Sequence, residues 1–127
     1  TMAASLITAL SEELFFRGAM LALLRRHLNE KLAVLVASAV FAALHFSLLG
    51  FPVLLVFGLM LSRLAIRRKS LLLPMLFHAM YNFAILLLNY AGGQPGLGLM
   101  LVCAGIFLVS MRLLLKEEQD EMHHSGL

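Results

Sequence analysis

Glu12, Glu13 and Arg17 lie in a stretch that is otherwise apolar from Met2 to Leu24. A charge at the centre of a membrane helix costs roughly 2.5–3.5 kcal/mol on insertion scales, so three unpaired ones would cost about 7–10 kcal/mol. Glu13 and Arg17 are four apart, so a helix stacks them on one face, acid toward the N-terminus, and they can pair. Glu12 has no such partner on its own helix, and a lone carboxylate in a membrane segment points to function. Three more polar side chains interrupt apolar runs: His45, His78 and Asn82. Together these residues form a hydrolytic inventory. A carboxylate can take a proton from water, an imidazole can hold that water, and a histidine with a carboxamide can stabilise an oxyanion.

The elements that must bring these residues together follow from composition. The chain has 127 residues, 61% hydrophobic and 13% charged, with a mean hydropathy of +0.94. Soluble domains carry about 25% charged residues, so this composition excludes an ordinary soluble domain. Five apolar segments, at residues 2–24, 32–49, 51–66, 71–91 and 97–115, are long enough or nearly so to cross about 30 Å of hydrocarbon. The breaks between them carry charge or turn residues: Arg25 to Lys31, Gly50 with Pro52, Arg67 to Ser70, and Gly92 to Gly96. Pro74 falls in an opening turn, where its missing donor matters least. The third segment is the shortest, and its Arg63 can snorkel to the adjacent basic loop.

The expected fold is therefore all-α, a polytopic transmembrane bundle of about five helices. Residues 1–115 form its core and residues 116–127 a polar tail. If the helices alternate, Arg25, Arg26, Lys31, Arg63, Arg67, Arg68, Lys69, Arg112 and Lys116 share one side. The positive-inside rule makes that side cytoplasmic, in an inner or plasma membrane of bacterial style. This placement accounts for the net charge of +3, and no nucleic-acid partner is expected. No basic stretch precedes the first apolar run, so no cleavable signal is expected, and the chain reads as the C-terminal core of a longer protein. Cys103 reads as a small buried hydrophobe, and His123 with His124 as part of a solvated tail rather than a metal site.

Depth suggests which polar residues meet. Counted from the basic loops, Glu13, His45 and Asn82 lie about 18, 21 and 20 Å deep, and Arg17 and His78 about 12–14 Å. Lipid offers such groups no hydrogen bonds, so they should turn toward one another or a wetted cavity. Taken singly, each has an ordinary reading: Glu13–Arg17 as a structural ion pair, each His or Asn as an interhelical hydrogen-bond partner, Phe41 as packing.

Glu12-Glu13-x-x-x-Arg17, Phe41-x-x-x-His45 and His78-x-x-x-Asn82, in this order on successive helices, resemble the motifs of one family. It is that of the CAAX prenyl proteases and bacteriocin-processing enzymes, the Abi or type II CAAX endopeptidase-like intramembrane proteases. The resemblance spans roughly residues 5–90. It implies that Glu12 activates the attacking water with help from His45. It further implies that His78 and Asn82 form the oxyanion hole while Glu13 and Arg17 order the site. The implied substrate is a membrane-bound or prenylated peptide or protein in the lipid bilayer. Glu12, His45 and His78 could also ligate a catalytic zinc. The absence of His-Glu-x-x-His favours metal-free chemistry with no cofactor. Two other functions fit the composition: an idle membrane scaffold or bacteriocin self-immunity protein that holds a peptide, and a proton-coupled transporter, which would lack the expected inverted repeat.

Overall fold

The computed structural model describes residues 2–93 and, beyond them, Gly105, Val109, Arg112, Lys116, His123, His124 and Gly126. The fifth apolar segment and the tail thus fall almost entirely outside the described residues, as does Cys103. Among the described residues the chain is helical, with no strands.

The first apolar segment is one uninterrupted run of three elements. Helix α1 spans Met2–Glu13, a π-helical segment spans Leu14–Met20, and α2 spans Leu21–His27. Glu13, Met20 and Leu21 all keep right-handed helical angles, so the joints are continuous. The buried positions explain the wider turns. Ala9, Glu13, Arg17 and Leu21 are buried at a strict spacing of four, which on an α-helix drifts by about 40° per step. A π segment takes up that drift and keeps the face turned inward. Such segments recur at functional sites.

Arg25, Arg26 and His27 occupy the last turn of α2, beside carbonyls that favour cations. The chain reverses through extended Leu28, and Asn29 caps α3 (Glu30–Ala43) by accepting a hydrogen bond from the Leu32 amide at 3.0 Å. Helix α3 stops six residues before the expected end at 49. Phe46 adopts a φ of +50°, which a right-handed helix cannot continue. Around it, His45 N bonds Ala42 O and Phe46 N bonds Ala43 O in tight closing turns. His45 therefore sits in the turn after the helix, not within it. The Ser47 hydroxyl then accepts from Gly50 N at 3.0 Å, and Pro52 opens α4 (Phe51–Arg68). At 18 residues α4 is longer than the 14-residue α3, so the third segment is not the shortest. It ends on left-handed Lys69, and α5 follows as Leu72–Tyr90 with Pro74 in its first turn.

Small residues set the closest seam, between α3 and α4. A Cβ on Gly58 would lie 3.0 Å from the Ser38 Cβ and 3.2 Å from its Cα. Ser38 Oγ bonds the Val34 carbonyl at 2.7 Å and meets Ser62 Oγ at 3.4 Å. Seams of this type are how helices pack where apolar burial supplies little drive. Phe16, Phe41, Ala42, Leu54, Phe57 and Leu61 form the core beside this seam. Helix α5 lies mainly against α1. Among the described residues it is the one helix long and apolar enough to cross a membrane, by length and composition. The outward faces remain apolar, with Ile7, Leu14, Phe15, Leu23, Leu35, Leu76 and Met80 exposed.

Candidate active site

Adjacent residues on a helix project about 100° apart, and this separates the two glutamates. Glu13 points into the bundle and is fully buried, whereas the Glu12 side chain keeps 27% of its surface exposed. Glu13 Oε1 accepts two hydrogen bonds, from Arg17 Nη1 at 2.8 Å and from His78 Nδ1 at 2.7 Å. Arg17, also buried, sends Nη2 to the Gly58 carbonyl at 3.2 Å. Its guanidinium carbon sits 4.5 Å from the centre of the Phe41 ring, a distance at which the ring face attracts the cation.

The same contacts fix the histidines. A carboxylate that already accepts from a guanidinium can only accept again, so the His78 Nδ1 proton points at Glu13 and Nε2 is turned toward Glu12. His45 has its Nδ1 2.7 Å from the Phe41 carbonyl. A carbonyl cannot donate, so His45 also carries its proton on Nδ1 and presents Nε2 outward. Both Nε2 atoms converge on one oxygen: Glu12 Oε2 lies 3.6 Å from that of His78 and 3.9 Å from that of His45. These separations exceed a direct hydrogen bond, and Glu12 Oε2 is buried with no hydrogen-bond partner in the protein. Phe41 holds the constellation together. Its fully buried ring also packs against His45 and His78, with centroids 4.6 and 5.7 Å away.

A cavity of about 420 Å³ opens beside these groups, and its wall includes Ser5, His45, His78, Tyr81, Asn82 and Asn89. Asn82 lies one turn beyond His78 on α5, and its Nδ2 donates to the Ser5 carbonyl of α1 at a long 3.4 Å. The donor is thus held loosely at the cavity edge.

All six residues singled out in the sequence lie in this region, but not in the expected layers. Depth counting placed Arg17 level with His78 and Glu13 level with Asn82, whereas Glu13 is the residue that bonds His78. The reason is where α5 begins. Its approach residue Leu71 packs beside Gly18, with Leu71 Cδ1 3.2 Å from the position a Cβ there would take. Helix α5 therefore starts beside Gly18, and His78 is carried past Arg17 to Glu13. Two contributors escape sequence reasoning. The Gly58 carbonyl is a backbone group, visible in advance only as a glycine inside an apolar helix. Phe41 reads as packing, and its one trace is the four-residue spacing to His45.

Three donors bear on metal binding. Ligands of zinc sit about 2.0–2.2 Å from the ion, which sets them roughly 3.4 Å from one another. Glu12 Oε2 stands somewhat farther than that from both Nε2 atoms. Among the described residues, no group of three or more His, Cys, Asp or Glu is arranged to hold a metal ion.

Against known families, a model described as type II CAAX prenyl endopeptidase Rce1-like matches residues 1–84. That span contains Glu12, Glu13, Arg17, His45, His78 and Asn82, while Asn89 of the cavity wall lies beyond it. No curated protein and no solved structure matches the chain.

Proposed function

Because the chain belongs to the Rce1-like family of type II CAAX prenyl endopeptidases, a membrane-embedded protease family, we propose that it is an intramembrane endopeptidase using glutamate-activated water. The observation that carries the reading is the convergence of two imidazole Nε2 atoms on Glu12 Oε2. At 3.6 and 3.9 Å, each Nε2 and Glu12 Oε2 are spaced so that one water oxygen about 2.8 Å from both would bridge either pair.

In the proposed reaction Glu12 takes a proton from that water while the water oxygen bonds to the scissile carbonyl carbon. His45 Nε2, kept as an acceptor by the Phe41 carbonyl, holds the water's second proton and aims its lone pair. The carbonyl becomes an oxyanion, which His78 Nε2–H and Asn82 Nδ2–H stabilise. Collapse breaks the C–N bond, and Glu12 returns its proton to the leaving amine. In this role His78 carries a proton on each ring nitrogen, Nδ1–H serving Glu13 and Nε2–H the oxyanion. Glu13 then acts as a positioning residue, through His78 and Arg17. The exposed apolar faces of the helices fit a lipid environment. We place the chain as a polytopic bundle in a bacterial inner membrane, with the basic turns cytoplasmic. Its substrate would be a prenylated or otherwise membrane-bound chain.

The test is cleavage of a farnesylated CAAX peptide and of a membrane-anchored peptide by the full-length protein in proteoliposomes. Glu12→Gln should abolish turnover of whichever peptide is cut while far-ultraviolet circular dichroism stays unchanged. Turnover equal to the parent's would overturn the assignment.

One observation favours a second reading. The Glu13–His78 pair has the carboxylate–histidine form that commonly orients zinc ligands. In that case Glu12, His45 and His78 would hold the ion, which would supply the activated water. Exhaustive chelation separates the two readings. The metal-free reading expects unchanged cleavage, and loss restored by added zinc would replace it.

A further inference from the structure

Where the turns at 25–31 and 67–71 meet, a second cavity of about 250 Å³ is lined by Arg17, Gly18, Arg25, Lys69, Ser70 and Leu71 among others. None of its lining residues is acidic, and three are cationic. Arg25 also bonds Glu30 at 2.9 Å on the exposed side, which offsets part of its charge. Lys69 caps α4 in a left-handed conformation.

Two features of the interior suggest an anion. Arg17 is 96% buried, and its two terminal nitrogens serve Glu13 and Gly58. Its Nε is buried without an acceptor in the protein. A third donor of a buried cation thus remains unspent in a residue that lines the cavity. The 19-residue helix α5 also opens here, without a side-chain cap from Leu71. Ser70 Oγ meets its first amide at 3.2 Å. The positive end of that helix adds to the local field.

We propose that this cavity binds a phosphate group, held by Lys69 and Arg25 at the rim, the opening of α5, and Arg17 from within. The phosphate chemistry is common to an anionic lipid headgroup and to free phosphate. Basic pockets between helices on the cytoplasmic side of membranes take anionic headgroups, and Leu21, Ala65 and Ile66 give this one an apolar flank. The inference concerns binding alone and does not rest on the hydrolytic reading.

The experiment uses the full-length protein in neutral detergent micelles, titrated with dioctanoyl phosphatidic acid, dioctanoylglycerol or inorganic phosphate. Thermal stability and native mass spectrometry give the readout. Phosphatidic acid should bind saturably at one site and raise Tm, while dioctanoylglycerol should do neither. A matching shift from inorganic phosphate alone supports the site with free phosphate as its source, and a shift confined to the lipid supports a headgroup. If neither binds, the proposal fails. Lys69→Asn, which tolerates the left-handed backbone, should raise the apparent Kd about fivefold, and combined with Arg25→Gln about thirtyfold. Both side chains are solvent-exposed, so the ligand-free variants should keep the parent's Tm. Arg67→Gln with Arg68→Gln removes the same charge outside the cavity and should change Kd less than about twofold. Equal weakening by both pairs would show diffuse charge rather than a site, and would overturn the proposal.

Discussion

Removing the charge of Glu13 gives the sharpest test of how the buried cluster is held. In Glu13→Gln the amide oxygen can still accept one hydrogen bond, but Arg17 becomes a buried cation without its adjacent counter-charge. Besides that oxygen it keeps the Gly58 carbonyl, the face of Phe41 and the more distant charge of Glu12. Breaking a buried pair by removing one partner costs about 3–5 kcal/mol. The ring and the carbonyl soften the loss, so the lower end, about 3 kcal/mol, is expected. Arg17→Met removes the cation instead and leaves the fully buried Glu13 with His78 as its one donor, at a similar cost. In the double variant both charges are gone and a methionine of comparable length fills the space, so the loss should shrink to about 0–2 kcal/mol. The assay is unfolding of the full chain by SDS in mixed micelles, followed by circular dichroism. The two single losses should exceed the double loss by about 4 kcal/mol or more in sum, a coupling equal to roughly three decades in the unfolding constant. Additive losses, or single losses below about 1 kcal/mol, would refute the claim that these charges stabilise one another.

Further outcomes separate structural from chemical roles. Gly58→Ala forces a methyl against Ser38 and Phe41 and should cost about 1–3 kcal/mol; Ser38→Gly in the same chain should recover part of it, as read by the same unfolding assay. His45→Ala should lower kcat by about 10²–10⁴ while shifting stability less than about 1 kcal/mol, because the ring is partly exposed beyond the end of α3. Asn82→Ala should lower kcat by about 10²–10³ with KM little changed, as expected for a donor used in the transition state.

How much of this the sequence disclosed depends on which groups carry the contact. The reversals at 25–31 and 67–71 are legible because charge runs and Ser70 interrupt apolar segments. The end of α3 is not. Phe46, Leu48 and Leu49 make the turn after it as apolar as the helix, and they are highly exposed. Hydropathy reads straight through such a turn, and only the left-handed angle at Phe46 marks it. The pairing of Glu13 with Arg17 follows from spacing along one helix. The pairing of Glu13 with His78 depends on how deeply α5 starts beside Gly18, an offset between helices that no local pattern encodes. Contacts to the carbonyls of Gly58 and Phe41 are illegible for a simpler reason, since every residue has a carbonyl.

The paired glutamates show what such an offset accomplishes. Two successive carboxylates on one helix cannot face the same surroundings, so whichever turns inward must be neutralised by the bundle. Arg17 and His78 do this for Glu13, and the strict four-residue spacing carried through the π segment keeps Glu13 and Arg17 on that inward face. Glu12 is thereby turned about 100° away, to the border where His45 and His78 present their Nε2 atoms. His78 is the hinge of the arrangement. One nitrogen serves the structural carboxylate and the other faces its neighbour. Exchanging the order of roles, by Glu12→Gln on one chain and Glu13→Gln on another, should therefore give opposite signatures. The first should lose turnover with stability intact, and the second should lose stability before any kinetic comparison is possible. Equal signatures from the two would mean that the helix does not divide the pair.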